Sequence, residues 1–269
     1  QGDVYLFDAP QTPSTTGLIP NDEYFPMQWH LHNTGQFGGT PDADINAPEA
    51  WEITAGDPNI VVAVLDCGVD LNHPDLVNNL VPGYDFFDND DLPEPAGSAD
   101  DHGTGCAGIV VAEANNDIGV VGVAWNCKVM PVRIGTHTSI PVAYAAEAIR
   151  WAAASGADIL SNSWGFTNPI LHSAIVDITK PEGIGRDGKG CVVLFAAGNE
   201  GGWLTQTAAY PEVIGVGATD SNDQRWSYSC YGPELDIVAP SGQRGAFLIA
   251  DPDRWSNLNA MVLSTDIVG

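Results

Sequence analysis

Runs of near-continuous branched aliphatic residues constrain this chain most: 60–65 (IVVAVL), 129–134, 158–163, 192–197 (VVLFAA), 213–218 and 235–239. A strand with one wet face alternates apolar and polar residues, so unbroken runs indicate strands buried on both faces. Helical patterns lie between them. Residues 142–155 (VAYAAEAIRWAAAS) place Val142, Ala145, Ala146, Ile149, Ala152 and Ala153 on one stripe, with Pro141 near its start and Gly156 just past its end. A second helix is expected from His102 through GTGCAGIVVAEAN and a third over 171–179. Strand and helix in alternation predict an α/β fold: a doubly wound, mostly parallel sheet flanked by helices, with functional groups just beyond the carboxyl ends of its strands.

At 269 residues, 44% of them hydrophobic, the chain is long enough for one large α/β domain. Nine Lys and Arg against 35 Asp and Glu give a net charge of −26, a field that repels phosphate backbones and anionic headgroups. Nucleic acid and membrane surfaces are therefore not expected partners, whereas carboxylates in excess suit hard cations. No apolar stretch approaches the ~20 residues of a membrane span, and QGDVYLFDAP has no signal-peptide pattern. The start at Gln1 suggests a processed piece, with an arm over 1–20 and the domain over 21–269. Cys67, Cys106, Cys127, Cys191 and Cys230 show no CxxC spacing and are odd in number, which excludes a zinc ribbon.

Three polar residues fall where the strand pattern puts the carboxyl edge of the sheet. Asp66 follows IVVAVL, His102 opens the small-residue run HGTGCAG, and Asn199 ends VVLFAAGN. Each alone reads equally well as a turn or capping residue. Together they make chemical sense: a carboxylate to orient an imidazole, an imidazole to move protons, and an amide for a developing oxyanion.

In VVAVLDCGVDLNHPDL (61–76), DHGTGCAGIVVAEANN (101–116), LFAAGNEGG (194–202) and ILSNSWG (159–165), the sequence resembles the subtilisin-like serine proteases, from about Asn21 onward. The resemblance implies an extracellular endopeptidase acting on protein or peptide substrates. Asp66 and His102 would be triad members and Asn199 the oxyanion amide. Ser163, Trp164 and Gly165 would pair with substrate backbone, opposite a wall at 135–139. The family's nucleophile stands in a GTS-x-A run that opens a long buried helix, and no such run occurs here. Ser241 and Ser264 lack its context. The expectation is a domain that is C-terminally incomplete, lacks the last, serine-bearing helix and is inactive alone, with the missing segment as a possible separate polypeptide.

The same resemblance implies a structural calcium ion, with Asp22, Asp75 and Asn116 as side-chain ligands and Glu113, Ile118 and Val120 giving backbone carbonyls. Asn168 and Ser229 stand where processing-type members have acidic residues, so a preference for basic side chains does not carry over; apolar or aromatic ones are expected beside Trp164. Cys106 matches a buried thiol under the active site of some members, and Cys67 follows the triad Asp. A catalytically inactive module binding peptides or calcium is the alternative. A metallohydrolase using His30, His32, His73 and His102 with Asp66 lacks any supporting ligand spacing.

Overall fold

The computed structural model describes residues 17–204, 206–242, 247–248 and 262–265. In chain order these form α1 (Ala47–Trp51), β1 (Val61–Asp66), β2 (Tyr84–Asp85), α2 (His102–Val111), β3 (Lys128–Arg133), α3 (Val142–Ala154), β4 (Ile159–Asn162), α4 (Pro169–Thr179), β5 (Val192–Ala196), β6 (Ile214–Thr219) and β7 (Ile237–Pro240). A small two-stranded sheet pairs β8 (Phe247–Leu248) with β9 (Val262–Leu263). The main sheet has the order β2-β3-β1-β4-β5-β6-β7, and every pairing in it is parallel. From β1 the chain goes to β2 at one edge, returns as β3 beside β1, then crosses to β4 on the other side and runs outward through β5 and β6 to β7. The strand order therefore reverses at β1 and β4, where α/β sheets open a crevice at their carboxyl edge.

Alternation along β1 divides the core in two. Val62 and Val64 pack with Ala107 and Val111 of α2 and with Val129. Ala63 and Leu65 face the other way, toward Ala145 and Ile149 of α3, Leu160 of β4 and Ile175 of α4. Both layers are buried, which is why the strand reads as an unbroken apolar run. Capping fixes α4: Asn168 Oδ1 accepts from Ile170 N at 2.8 Å, and Pro169 takes the first helical position. Beyond β1 and β4 the α2-side face changes character. Ile237 on β7 is half exposed, and among the described residues α2 packs chiefly on β1 and β3.

The segment before β1 forms a third core, in which Phe25, Leu31, Ala47, Trp51 and Val121 are buried. Gln28 fastens it by a reciprocal pair of hydrogen bonds to the Val121 backbone, 3.0 and 2.8 Å long. Of the arm, residues 1–16 lie outside the described residues; Leu18 N donates to Pro48 O at 3.0 Å.

His30 is completely buried within this segment, and neither ring nitrogen has a hydrogen-bond partner. Burial disfavours the charged ring and lowers its pKa from 6.5 to about 3. The unfolded chain takes up a proton below about pH 6.5 that the folded chain refuses until about pH 3. This contribution to stability is thus intact above pH 6.5 and is lost as pH falls through that window. Urea melts of His30→Leu against the parent should show a shallower loss between pH 6.5 and 4; parallel curves would refute this role for His30.

Candidate active site

Asp66 is the last residue of β1 and His102 the first of α2. They meet because α2 begins almost in contact with the turn after β1: a Cβ at Gly103 would lie 2.2 Å from Gly68 O and 2.9 Å from Asp66 Cβ. Only glycine permits that approach. His102 Nδ1 then stands 2.9 Å from both carboxylate oxygens of Asp66. The side chains are 19% and 7% exposed, so the pair is largely shielded from water yet open on one side. Cys67 N donates to Asp66 Oδ1 at 2.8 Å and orients the carboxylate.

Cys106, one helical turn after His102, brings its sulfur to 3.9 Å from Nδ1 and 3.4 Å from Ser163 Oγ. Its electrostatic influence is the largest of those raising the His102 pKa, to about 11. Burial opposes it, and the hydrogen bond and charge of Asp66 reinforce it. Burial pushes the Cys67 thiol up strongly, so that residue packs rather than reacts.

His102, Cys106, Ser163 and Asn199 line one cavity of about 420 Å³, floored by Leu194, Val216 and Ala239. Asn199 reaches it because Gly198, at φ 104°, turns the chain sharply after β5. The cavity follows the exposed side of β5 to β7. Trp164 is half-buried instead: its Nε1 donates to Leu65 O at 2.7 Å and its ring meets Phe195 edge-on at 5.1 Å. Gly165 follows it without lining the cavity. Asn168 is occupied as a helix cap, and Ser229 lines the cavity while accepting from Ala218 N at 2.9 Å.

The hydroxyls of the two serines weighed as nucleophiles, Ser241 and Ser264, are engaged elsewhere. Ser264 Oγ donates to Gly105 O at 2.5 Å, and Ser241 Oγ accepts from Tyr228 OH at 3.0 Å.

The six residues expected around a cation also converge. Asp22 Oδ2 accepts from Asn115 N at 2.7 Å, Asp75 accepts from Asn116 Nδ2 at 2.8 Å and Val120 N at 2.9 Å, and Glu113 N donates to Asp75 O at 2.9 Å. Ile118 N closes the loop on Asn116 Oδ1 at 3.1 Å. Burial, reinforced by the charges of Asp22 and Glu113, raises Asp75 to about 6, and burial raises Asp22 as well. Glu113 Oε1 is buried without a hydrogen-bond partner. Crowded, partly desolvated oxygens of this kind fit a hard cation. His30, His32 and His73 do not join His102: the metal-capable group of three or more found among the described residues is Asp66, His102 and Cys106.

Residues 57–266 match the model of the subtilase family. The chain belongs to that family. Thermitase of Thermoactinomyces vulgaris is 37% identical over 230 residues, covering 82% of this chain and 73% of thermitase. A calcium-dependent protease of Trichormus variabilis is 35% identical over 236 residues, 81% of this chain but only 35% of that protein. Among solved structures, a protease from Pseudoalteromonas arctica superposes with a TM-score of 0.70 at 31% identity, covering 83% of this subtilase chain and 72% of its own.

Two residues of the site carried no sequence signal. Asp100 is buried, and its Oδ1 accepts from His137 N at 2.8 Å, holding the His137 ring 6.1 Å from that of His102. The 135–139 segment was legible only as a wall.

Because Cys106 acts most strongly on the imidazole, Cys106→Ala should lower the His102 midpoint in an NMR titration. An unmoved midpoint would show that Asp66 alone sets it.

Proposed function

We propose that this subtilase chain forms most of the catalytic domain of a serine endopeptidase, carried above all by the His102–Asp66 contact at the mouth of a cavity that Asn199 also lines. Asp66 holds a proton on Nδ1 and leaves Nε2 to take the proton of an attacking serine and return it to the leaving amine. Asn199 donates to the oxyanion. Substrate lies extended between the 163–165 segment and the 135–139 wall, each offering backbone groups to it. The nucleophile sits on a helix covering the exposed side of β5 to β7, beyond the described residues, on the chain's continuation or a separate polypeptide. Release outside the cell accords with the family resemblance.

The test uses the natural protein and a serine-directed fluorophosphonate. We expect labelling of one serine together with cleavage of casein, and a loss of about 10⁶-fold on His102→Ala, a magnitude established on subtilisin itself. The 269-residue chain alone should be neither labelled nor active; labelling of a serine within it would overturn the placement of the nucleophile.

Calcium is proposed as the structural cofactor, held by Asp22, Asp75 and Asn116 with the carbonyls of Glu113, Ile118 and Val120. Its role is to neutralise buried carboxylates and to tie the segment before α1 to the loop after α2. Calcium binds the ionised carboxylates, so its affinity should fall as Asp75 protonates below about pH 6. Excess chelator at pH 7.5 should lower the melting temperature by several degrees, and Asp75→Asn should abolish the difference. Identical melting curves with and without chelator would remove calcium from this site.

A further inference from the structure

Asp100 is buried two residues before His102, and it joins three segments around the proposed triad. Its carbonyl accepts from Cys67 Sγ at 3.2 Å, on the turn after β1. Its amide donates to Gly97 O at 2.9 Å, in the loop that leads into α2. Its carboxylate turns away from both and accepts from His137 N at 2.8 Å, in the loop between β3 and α3. Burying a carboxylate costs free energy that hydrogen bonds must offset, so this placement calls for an explanation.

The loop it reaches is the 135–139 wall. The sheet sets one end of that wall: Arg133 pairs with Asp66 in register, and Ile134 N donates to Asp66 O at 2.9 Å. Thr136 and Ser139 then close the tip with reciprocal backbone hydrogen bonds of 3.0 and 3.2 Å. These bonds fix the shape of the tip but not its angle to the sheet. Residues 137–139 are all exposed, so burial of their side chains does not seat the tip either. The bond from His137 N to Asp100 runs across from the wall to the segment that carries His102, and it supplies the missing restraint.

We propose that Asp100 is a positioning residue: by holding His137 N it sets the separation of the wall from His102, and so the grip on the part of a substrate that precedes the cut. This role rests on the peptidase reading, in which that part lies extended along the wall. It requires an acceptor oxygen rather than a charge, which separates it from a carboxylate that would recognise a basic side chain of the substrate. Loosening the wall weakens binding of ground state and transition state alike, so the loss falls on KM rather than on kcat.

The experiment compares Asp100→Ala and Asp100→Asn with the parent natural protein on a four-residue peptide nitroanilide and on a one-residue ester, and follows amide hydrogen exchange at His137 in the 269-residue chain. We expect Asp100→Ala to raise KM for the long substrate about tenfold with kcat within about twofold, to alter the short ester far less, and to speed exchange at His137. Asp100→Asn, whose Oδ1 still accepts, should restore both readouts, and it tests the claim by itself if Asp100→Ala does not fold. An Asn variant as impaired as Asp100→Ala would overturn the acceptor role by making the charge the operative feature. Equal losses on the long and short substrates would overturn it in favour of support for α2 as a whole. Unchanged exchange at His137 in Asp100→Ala would sink it whatever the kinetics. A parent protein that cleaves neither substrate, with exchange at His137 still faster in Asp100→Ala, would leave the tie standing and sink the peptidase reading instead.

Discussion

The approach of α2 to the end of β1 governs this molecule. With no side chain at Gly103, the first turn of the helix comes within van der Waals reach of the Gly68 carbonyl. His102 therefore lands on Asp66 without a long or mobile linker. The contact is shared out as well: Asp70 N donates to Thr104 Oγ1 at 3.0 Å, and Cys67 Sγ donates to Asp100 O at 3.2 Å. Helix start and strand end thus behave as one rigid unit, which is what a proton relay needs if its geometry is to hold without reorganisation.

The sequence made the strands legible to within a residue or two, because both core layers demand apolar residues at every position. It also put Asp66 and His102 at the same edge, where they meet because one ends β1 and the other begins α2. It overestimated α2: Ala112 leaves the helix at ψ 137°, freeing the 113–120 loop to wrap Asp75. The two-residue β2 and the five-residue α1 are too short to show a period. His137 carries no signal of its own, because its place depends on one hydrogen bond to a buried aspartate 37 residues earlier in the chain.

Electrostatics separates the two functional regions. Around Asp75, buried carboxylates sit near one another and resist ionisation, a cost that a cation relieves. Around His102 the balance is reversed: Cys106 and Asp66 beside the imidazole favour its charged form. One region gathers carboxylates alone, whereas the other sets a carboxylate against a group that can itself carry positive charge.

That difference bears on how the base works. An imidazole held as imidazolium cannot accept a proton, so the neighbours that favour its charged form oppose base catalysis even while Asp66 orients the ring for it. Ser163 Oγ, 3.4 Å from the Cys106 sulfur, lies on the same cavity wall. A helix seated over β5 to β7 would exclude water from that wall, and burial disfavours the charged imidazole. Covering the apolar face and releasing the imidazole to act as a base are then consequences of a single packing event.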